Sequence, residues 1–276
     1  ALALGHELRL ESALWEGRAK EAERMLPRVP EDLQALAAAR LGLQGEADGV
    51  TALIEAVPES RADDAGLAHD RFIWRMKKDK YDDALEMILS RSTSAEALGR
   101  PEAWADRRAI LARWLMRQGR AEEAYRVASS HFLTEGQDFI DLEFLAGFLA
   151  LRKLDDPARA LEHFRHLETG VSTPISTARA KYWQGRAEEA LGQDATASYT
   201  AAARYQTAFY GLLAAERLGQ SLDATLLAPT KVPDWKTAAY AKSSVLEAVR
   251  LLLDAGDRTL AKRFLLHLAE SQDETG

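Results

Sequence analysis

The chain has no cysteine, which excludes disulfides, thiolate nucleophiles and thiolate metal sites. Helix breakers are scarce, with 17 Gly and 8 Pro in 276 residues. No apolar run reaches the roughly 18 residues of a membrane span, and the opening "ALALGHELRL" lacks the basic start and long apolar core of a signal peptide. There is no Gly-rich phosphate loop, no Gly-x-Ser-x-Gly and no His-Glu-x-x-His, so the common nucleotide, hydrolase and zinc-protease readings have no support. Excess positive charge is missing too. At a formal −7, with Lys and Arg interspersed among acids, the chain does not look like a nucleic-acid binder.

What the chain does have is apolar content and helix formers. Hydrophobic residues make up 47%, enough for a substantial core, and Ala, Leu, Glu and Arg dominate, residues that lose little side-chain freedom in a helix. A phrase of helix, short break and second helix recurs, as in "RWLMRQGRAEEAYRVASSHF" from Arg113. The small residue of each second helix marks the repeat: Ala22, Val50, Ala84, Ala124, Ala160, Ser198 and Ala261, spaced 28, 34, 40, 36, 38 and 63 residues apart. These intervals centre on the roughly 34 residues of helical-hairpin repeats. Gly119, Gly192 and Gly256 stand where a first helix ends in a left-handed residue, and Asp155-Asp156-Pro157 supplies a cap and a first-turn proline instead.

The pattern predicts an all-α fold: a right-handed superhelix, or solenoid, of stacked TPR-like hairpins, curved or C-shaped, whose concave face is the functional candidate. Residues 1–220 form this array. Residues 221–276 hold a connector, Pro229 to Trp235, and the start of a further helical region, because Pro229 and Pro233 interrupt the helical pattern. Both ends look like cuts in a longer protein.

Candidate chemistry is thin. His163 and His166, flanked by Glu162 and Glu168, have a spacing that could offer two nitrogens to a metal, but no third ligand is recognisable; the plainer account is two surface imidazoles. His131 and His267 fall near helix ends. The acid pairs Asp63-Asp64, Asp82-Asp83, Glu122-Glu123, Asp155-Asp156 and Glu188-Glu189 suit helix starts better than catalysis, since neighbours on a helix point about 100° apart. Trp15, Trp74, Trp114 and Trp183 occupy similar places in first helices, where repeat packing explains them; a sugar-stacking or partner face is the alternative. Gly211, inside a helix after Tyr210, implies that another helix passes close.

The segment "STARAKYWQGRAEEALGQDATASYTAAARYQTAFYGLLAAERLG" resembles the superhelical domain of the periplasmic soluble lytic transglycosylases. Its "YWQGRAEEALG" is followed by a Thr-x-Phe-Tyr-Gly-x-Leu-Ala phrase carried by Thr207, Phe209, Tyr210, Gly211, Leu213 and Ala214. "FLAGFLALRKLDDPARALEHFRHL" looks like the alphaproteobacterial branch, and the resemblance runs from about Trp15 to Gly219, more weakly beyond. It implies a curved or ring-forming helical array in the periplasm, serving cleavage of peptidoglycan glycan with formation of 1,6-anhydromuramic acid. The family's catalytic Glu-Ser motif has no counterpart. Glu11-Ser12, Glu59-Ser60 and Glu270-Ser271 lack the phrase that follows it, so no catalytic residue is carried over.

The expectation is therefore a non-catalytic scaffold that confines the glycan strand weakly and docks a catalytic domain absent from this sequence. It needs no cofactor or metal, and other cell-wall proteins are further partners. A TPR-like adaptor that binds a peptide is the alternative. An autonomous glycosidase is the enzyme rival, opposed by the lack of a lysozyme-like stretch.

Overall fold

The structure, a computed structural model, describes residues 2–226, 234–270 and 272. The chain divides into two compact units, Ala1–Leu222 and Asp223–Gly276. Among the described residues all regular structure is helical. The expected connector from Pro229 to Trp235 lies largely outside the described residues, Pro229 and Pro233 included; Trp235 opens a 3-10 turn, Trp235–Thr237.

The first unit begins with α1 (Leu2–Trp15) and α2 (Ala19–Met25), then α3 (Glu31–Gln44) and α4 (Val50–Glu55), and α5 (Ala65–Lys77) and α6 (Tyr81–Arg91). A single turn, α7 (Ala95–Leu98), precedes α8 (Pro101–Arg117) and α9 (Ala121–Ser129). Next come α10 (Gly136–Lys153) and α11 (Pro157–Thr169), α12 (Pro174–Ala190) and α13 (Thr196–Ala203), and finally α14 (Phe209–Arg217). The second unit contains α15 (Ser244–Asp254) and α16 (Arg258–Ala269), which pack on each other.

Within the first unit, helices pack inside their hairpin and on sequence neighbours: α1 on α3, α3 on α5, α5 on α8, α8 and α9 on α10, and α11 on α12. This sequential order is that of a helical solenoid, in which no hairpin buries its apolar face alone. All seven marker residues, from Ala22 to Ala261, sit in second helices and are buried. Leu161, Phe164 and Leu167 form the expected buried stripe of α11.

The hairpin break is a repeated backbone device. Gly119 takes φ +77°, and the next amide, Arg120 N–H, donates back to Leu115 O at 3.0 Å, closing the end of α8. Gly192 and Gly256 do likewise, while Asp79 and Asp155 adopt the same left-handed conformation without being glycine. Asp156 then caps α11 by accepting from Arg159 N–H, with Pro157 in the first turn.

Charge is buried as well. Arg108 on α8 is fully buried with no carboxylate partner among the described residues; it donates to Val127 O (2.8 Å), Ser130 Oγ (3.3 Å) and Ser92 Oγ (2.7 Å). Ser92 and Ser130 end α6 and α9, so the guanidinium rests against the negative ends of two helices. Trp104, also on α8, is completely buried, stacked 5.2 Å from Phe72 and donating Nε1–H to Leu98 O.

Candidate functional site

Two further polar centres are built into the first unit. In the C-terminal one, α10 presents Glu143, buried, and three imidazoles converge on it. His131, just after α9, reaches Oε1 through Nε2 at 3.0 Å; from α11, His163 Nδ1 reaches Oε2 at 2.7 Å and His166 Nδ1 reaches Oε1 at 3.0 Å. Leu133 N–H donates to His131 Nδ1, which leaves Nε2 to face the carboxylate. His163 Nε2 lies 2.8 Å from the Tyr125 hydroxyl. Burial pushes the Glu143 carboxyl up, but hydrogen bonds from His131 and His163, and then the positive charge of those rings, outweigh burial and leave it at about 2. At neutral pH it has no proton to give.

The i, i+3 spacing of His163 and His166 thus reflects a shared carboxylate. His163 is mostly buried and is not the surface imidazole its sequence context suggested. Glu162 stays exposed, and Glu168 accepts from Lys181 Nζ (2.6 Å) and Gln184 Nε2 (2.8 Å). Among the described residues no three such side chains are placed to hold a metal ion.

The N-terminal centre is an ion pair. Arg40 on α3, fully buried, donates from Nε to Asp70 Oδ2 on α5 at 2.7 Å, and its guanidinium lies 5.0 Å from the Trp15 ring centroid. Gln44 Nε2 donates to the same Asp70 oxygen (3.0 Å) and to Leu14 O (2.8 Å), while His69 Nδ1 lies 3.2 Å from Asp70 Oδ1. Gly66 makes room: a Cβ there would overlap the Arg40 guanidinium. Arg40 Nη2 and Gln44 Oε1 are buried without a hydrogen-bond partner among the described residues. Beside this centre opens a cavity of about 630 Å³, where Trp15, Gln44, His69 and Asp70 meet an apolar floor that includes Leu41 and Ile73.

The acid pairs fall mostly where helix electrostatics places them. Asp82-Asp83 and Glu122-Glu123 occupy first turns, and Asp64 and Asp156 are caps. Glu188-Glu189 departs from this, lying in the last turn of α12, where Glu189 pairs with Arg186 and Arg217 instead. A carboxylate set that adjacent-pair reasoning overlooks lines a cavity of about 370 Å³ between α8 and α10: Asp106, Asp138 and Asp141, with Arg107 and Arg113. Burial, and then the charges of Asp106 and Asp141, push the Asp138 carboxyl up.

Trp15, Trp74, Trp114 and Trp183 are all half-buried, whereas the fully buried indole is Trp104. Trp183 sits among Phe144, Phe148, Phe164 and Tyr182, with ring centroids 5.6 to 5.9 Å away. The two stretches that carry the family resemblance meet in space: Tyr210 lies 5.4 Å from Tyr182 and 6.4 Å from Trp183. Gly211 is buried against the end of the preceding hairpin, where a Cβ would overlap the Tyr205 carbonyl and lie 3.1 Å from Ala202 O of α13. Turn backbone, as much as a neighbouring helix, imposes the glycine. Ser271 of the Glu270-Ser271 pair lies outside the described residues.

Comparison with protein-family models, curated proteins and solved structures finds no match to this chain.

Proposed function

We propose that this chain is the non-catalytic scaffold region of a periplasmic peptidoglycan lytic transglycosylase, a right-handed superhelix that confines a glycan strand and docks a catalytic domain outside this sequence. The observation that carries the proposal is the cavity of about 630 Å³ beside the Arg40–Asp70 pair. It offers a half-buried indole, an amide and a carboxylate fixed by hydrogen bonds, and an apolar floor, the mixture that suits a sugar ring with apolar faces and a polar rim. Its carboxylate is engaged: Asp70 accepts from both Arg40 and Gln44. Holding, and no chemistry, is what such a wall does.

The resemblance supplies the glycan, and the contact of Tyr210 with Tyr182 and Trp183 supports treating its two phrases as one structural unit. A chain of formal charge −7 has no general attraction for peptidoglycan, whose stems carry carboxylates, so affinity rests on local stacking and hydrogen bonds. Short fragments should bind with dissociation constants around 1 mM, about −4 kcal/mol. Tethered beside a catalytic domain, that weak grip raises the local concentration of strand. Titrating soluble muropeptides into isotopically labelled protein tests this, and shifts should centre on Trp15, Gln44 and Ile73. Shifts confined to other surfaces would move the function to protein partners, the TPR-like alternative.

A further inference from the structure

A third cavity, also of about 370 Å³, lies where α3, α4, α5 and α6 meet, and cations outnumber acids on its wall. Arg71, Trp74 and Arg75 of α5 line it with Lys80, and Glu55 and Asp83 are the acids on its wall. The Arg71 side chain makes no hydrogen bond and no ion pair among the described residues. Other guanidiniums nearby are engaged: Arg40 with Asp70, and Arg61 with Asp32 at 2.8 Å. Arg75 Nη1 donates to the Asp83 backbone carbonyl (3.0 Å), and Arg91 is committed to Asp63, with Nη2 2.7 Å from Oδ1. Lys80 Nζ lies 5.6 Å from the Trp74 ring centroid. Neither Glu55 nor Asp83 forms an ion pair with Arg71.

Arg71 is thus half-withdrawn from water with two like charges near it. Burial first, then Arg75 and Arg91, pull its guanidinium below the usual arginine range. A cation held this way costs stability unless something neutralises it, and the group that matches a free guanidinium fork is a carboxylate. Trp74 and the apolar wall from Val50 and Ile54 give the cavity a surface for the rest of such a ligand.

We propose that this cavity binds a carboxylate-bearing ligand, with Arg71 taking the carboxylate and Trp74 and the apolar wall holding its body. That the body is a peptidoglycan sugar or stem rests on the function proposed above; the carboxylate site itself does not.

Three probes separate the two claims: N-acetylmuramic acid, N-acetylglucosamine, which has a similar ring without the carboxylate, and acetate. Each is titrated at constant ionic strength into wild type and Arg71→Gln, reading the Trp74 indole N–H resonance, assigned with Trp74→Phe, and the thermal midpoint. In wild type, N-acetylmuramic acid should shift the Trp74 signal with millimolar affinity and raise the midpoint, and N-acetylglucosamine should do neither. Arg71→Gln should weaken the N-acetylmuramic acid response about tenfold or more, as expected when a charge-assisted contact of ~1.4 kcal/mol or more is removed. Without ligand, its midpoint should equal or exceed that of wild type, because a like-charge contact is relieved. A response to acetate without one to N-acetylmuramic acid would uphold the carboxylate site and count against a muramic acid ring as the body of its ligand. The proposal is overturned by silence from both carboxylates, by an equal response to N-acetylglucosamine, by an unchanged response in Arg71→Gln, or by a clear loss of that variant's unliganded stability.

Discussion

Arg40 and Arg108 are both fully buried guanidiniums in the first unit, and they are held in opposite ways. Arg40 is neutralised by a formal charge, Asp70, which also accepts from Gln44 and approaches His69. Among the described residues Arg108 has no acid, only Val127 O and two serine hydroxyls at the ends of α6 and α9. A helical hairpin array produces both solutions: facing first helices can exchange an ion pair across a hairpin boundary, and every second helix ends in carbonyls that lack an intrahelical donor. The two differ in what is left behind when the cation is removed.

Removing Arg40 strands a charge. Arg40→Met should destabilise by about 3–5 kcal/mol, because Asp70 stays buried beside Gln44 without a counter-ion. The double variant Arg40→Met/Asp70→Leu should recover most of that loss, since no charge is then buried unpaired. Chemical denaturation of the three proteins gives the comparison, and a double variant no better than the single one would break the ion-pair account.

Glu143 is the intermediate case, an anion solvated by imidazole N–H groups. Its carboxyl is depressed to about 2, so its contribution is fully present above the unfolded value near 4.5 and fades as pH falls from there through about 2. At pH 7, Glu143→Gln should cost on the order of 3 kcal/mol. The gap between wild type and variant should close between about pH 4.5 and pH 2. A gap independent of pH would mean that the carboxylate charge is not what the histidines hold.

Arg108 should show the smallest effect. Burial pushes its guanidinium down to about 9, which means that the folded state holds the charged form at a cost. Arg108→Met removes that cost together with three hydrogen bonds to neutral groups, so the change should stay within about 1 kcal/mol at pH 7. A loss as large as that of Arg40→Met would show that helix ends hold the cation as firmly as an acid does.

Why the hairpins are readable from sequence and these centres are not follows from the range of the interactions. The marker alanines and the Gly119, Gly192 and Gly256 stops act within a few residues, and they fall in the structure where the periodicity puts them. Asp79 and Asp155 do the work of glycine without glycine's signature, so those breaks are visible only through their neighbours. Asp70 lies 30 residues from Arg40, and Glu143 lies 20 from His163; no local pattern links either pair. The His163–His166 spacing signals a shared partner but cannot say whether that partner is a metal or a carboxylate. Trp104 escapes notice because the indoles at repeating places are the half-buried ones, whereas the core is filled by one that does not repeat. Arg71 leaves no trace in sequence at all, since what distinguishes it is that no partner among the described residues takes its charge.

The proposed function has this array hold a glycan without cutting it, and its buried carboxylates, Asp70 and Glu143, are engaged by hydrogen-bond donors. The direct measurement is to incubate the protein with purified sacculi, assay co-sedimentation and analyse the soluble fraction for anhydro-muropeptides by mass spectrometry. The account predicts weak, saturable co-sedimentation and no such products above a blank. Their appearance would contradict it and point to the Asp106, Asp138 and Asp141 cavity, where Asp138 is the carboxyl pushed upward.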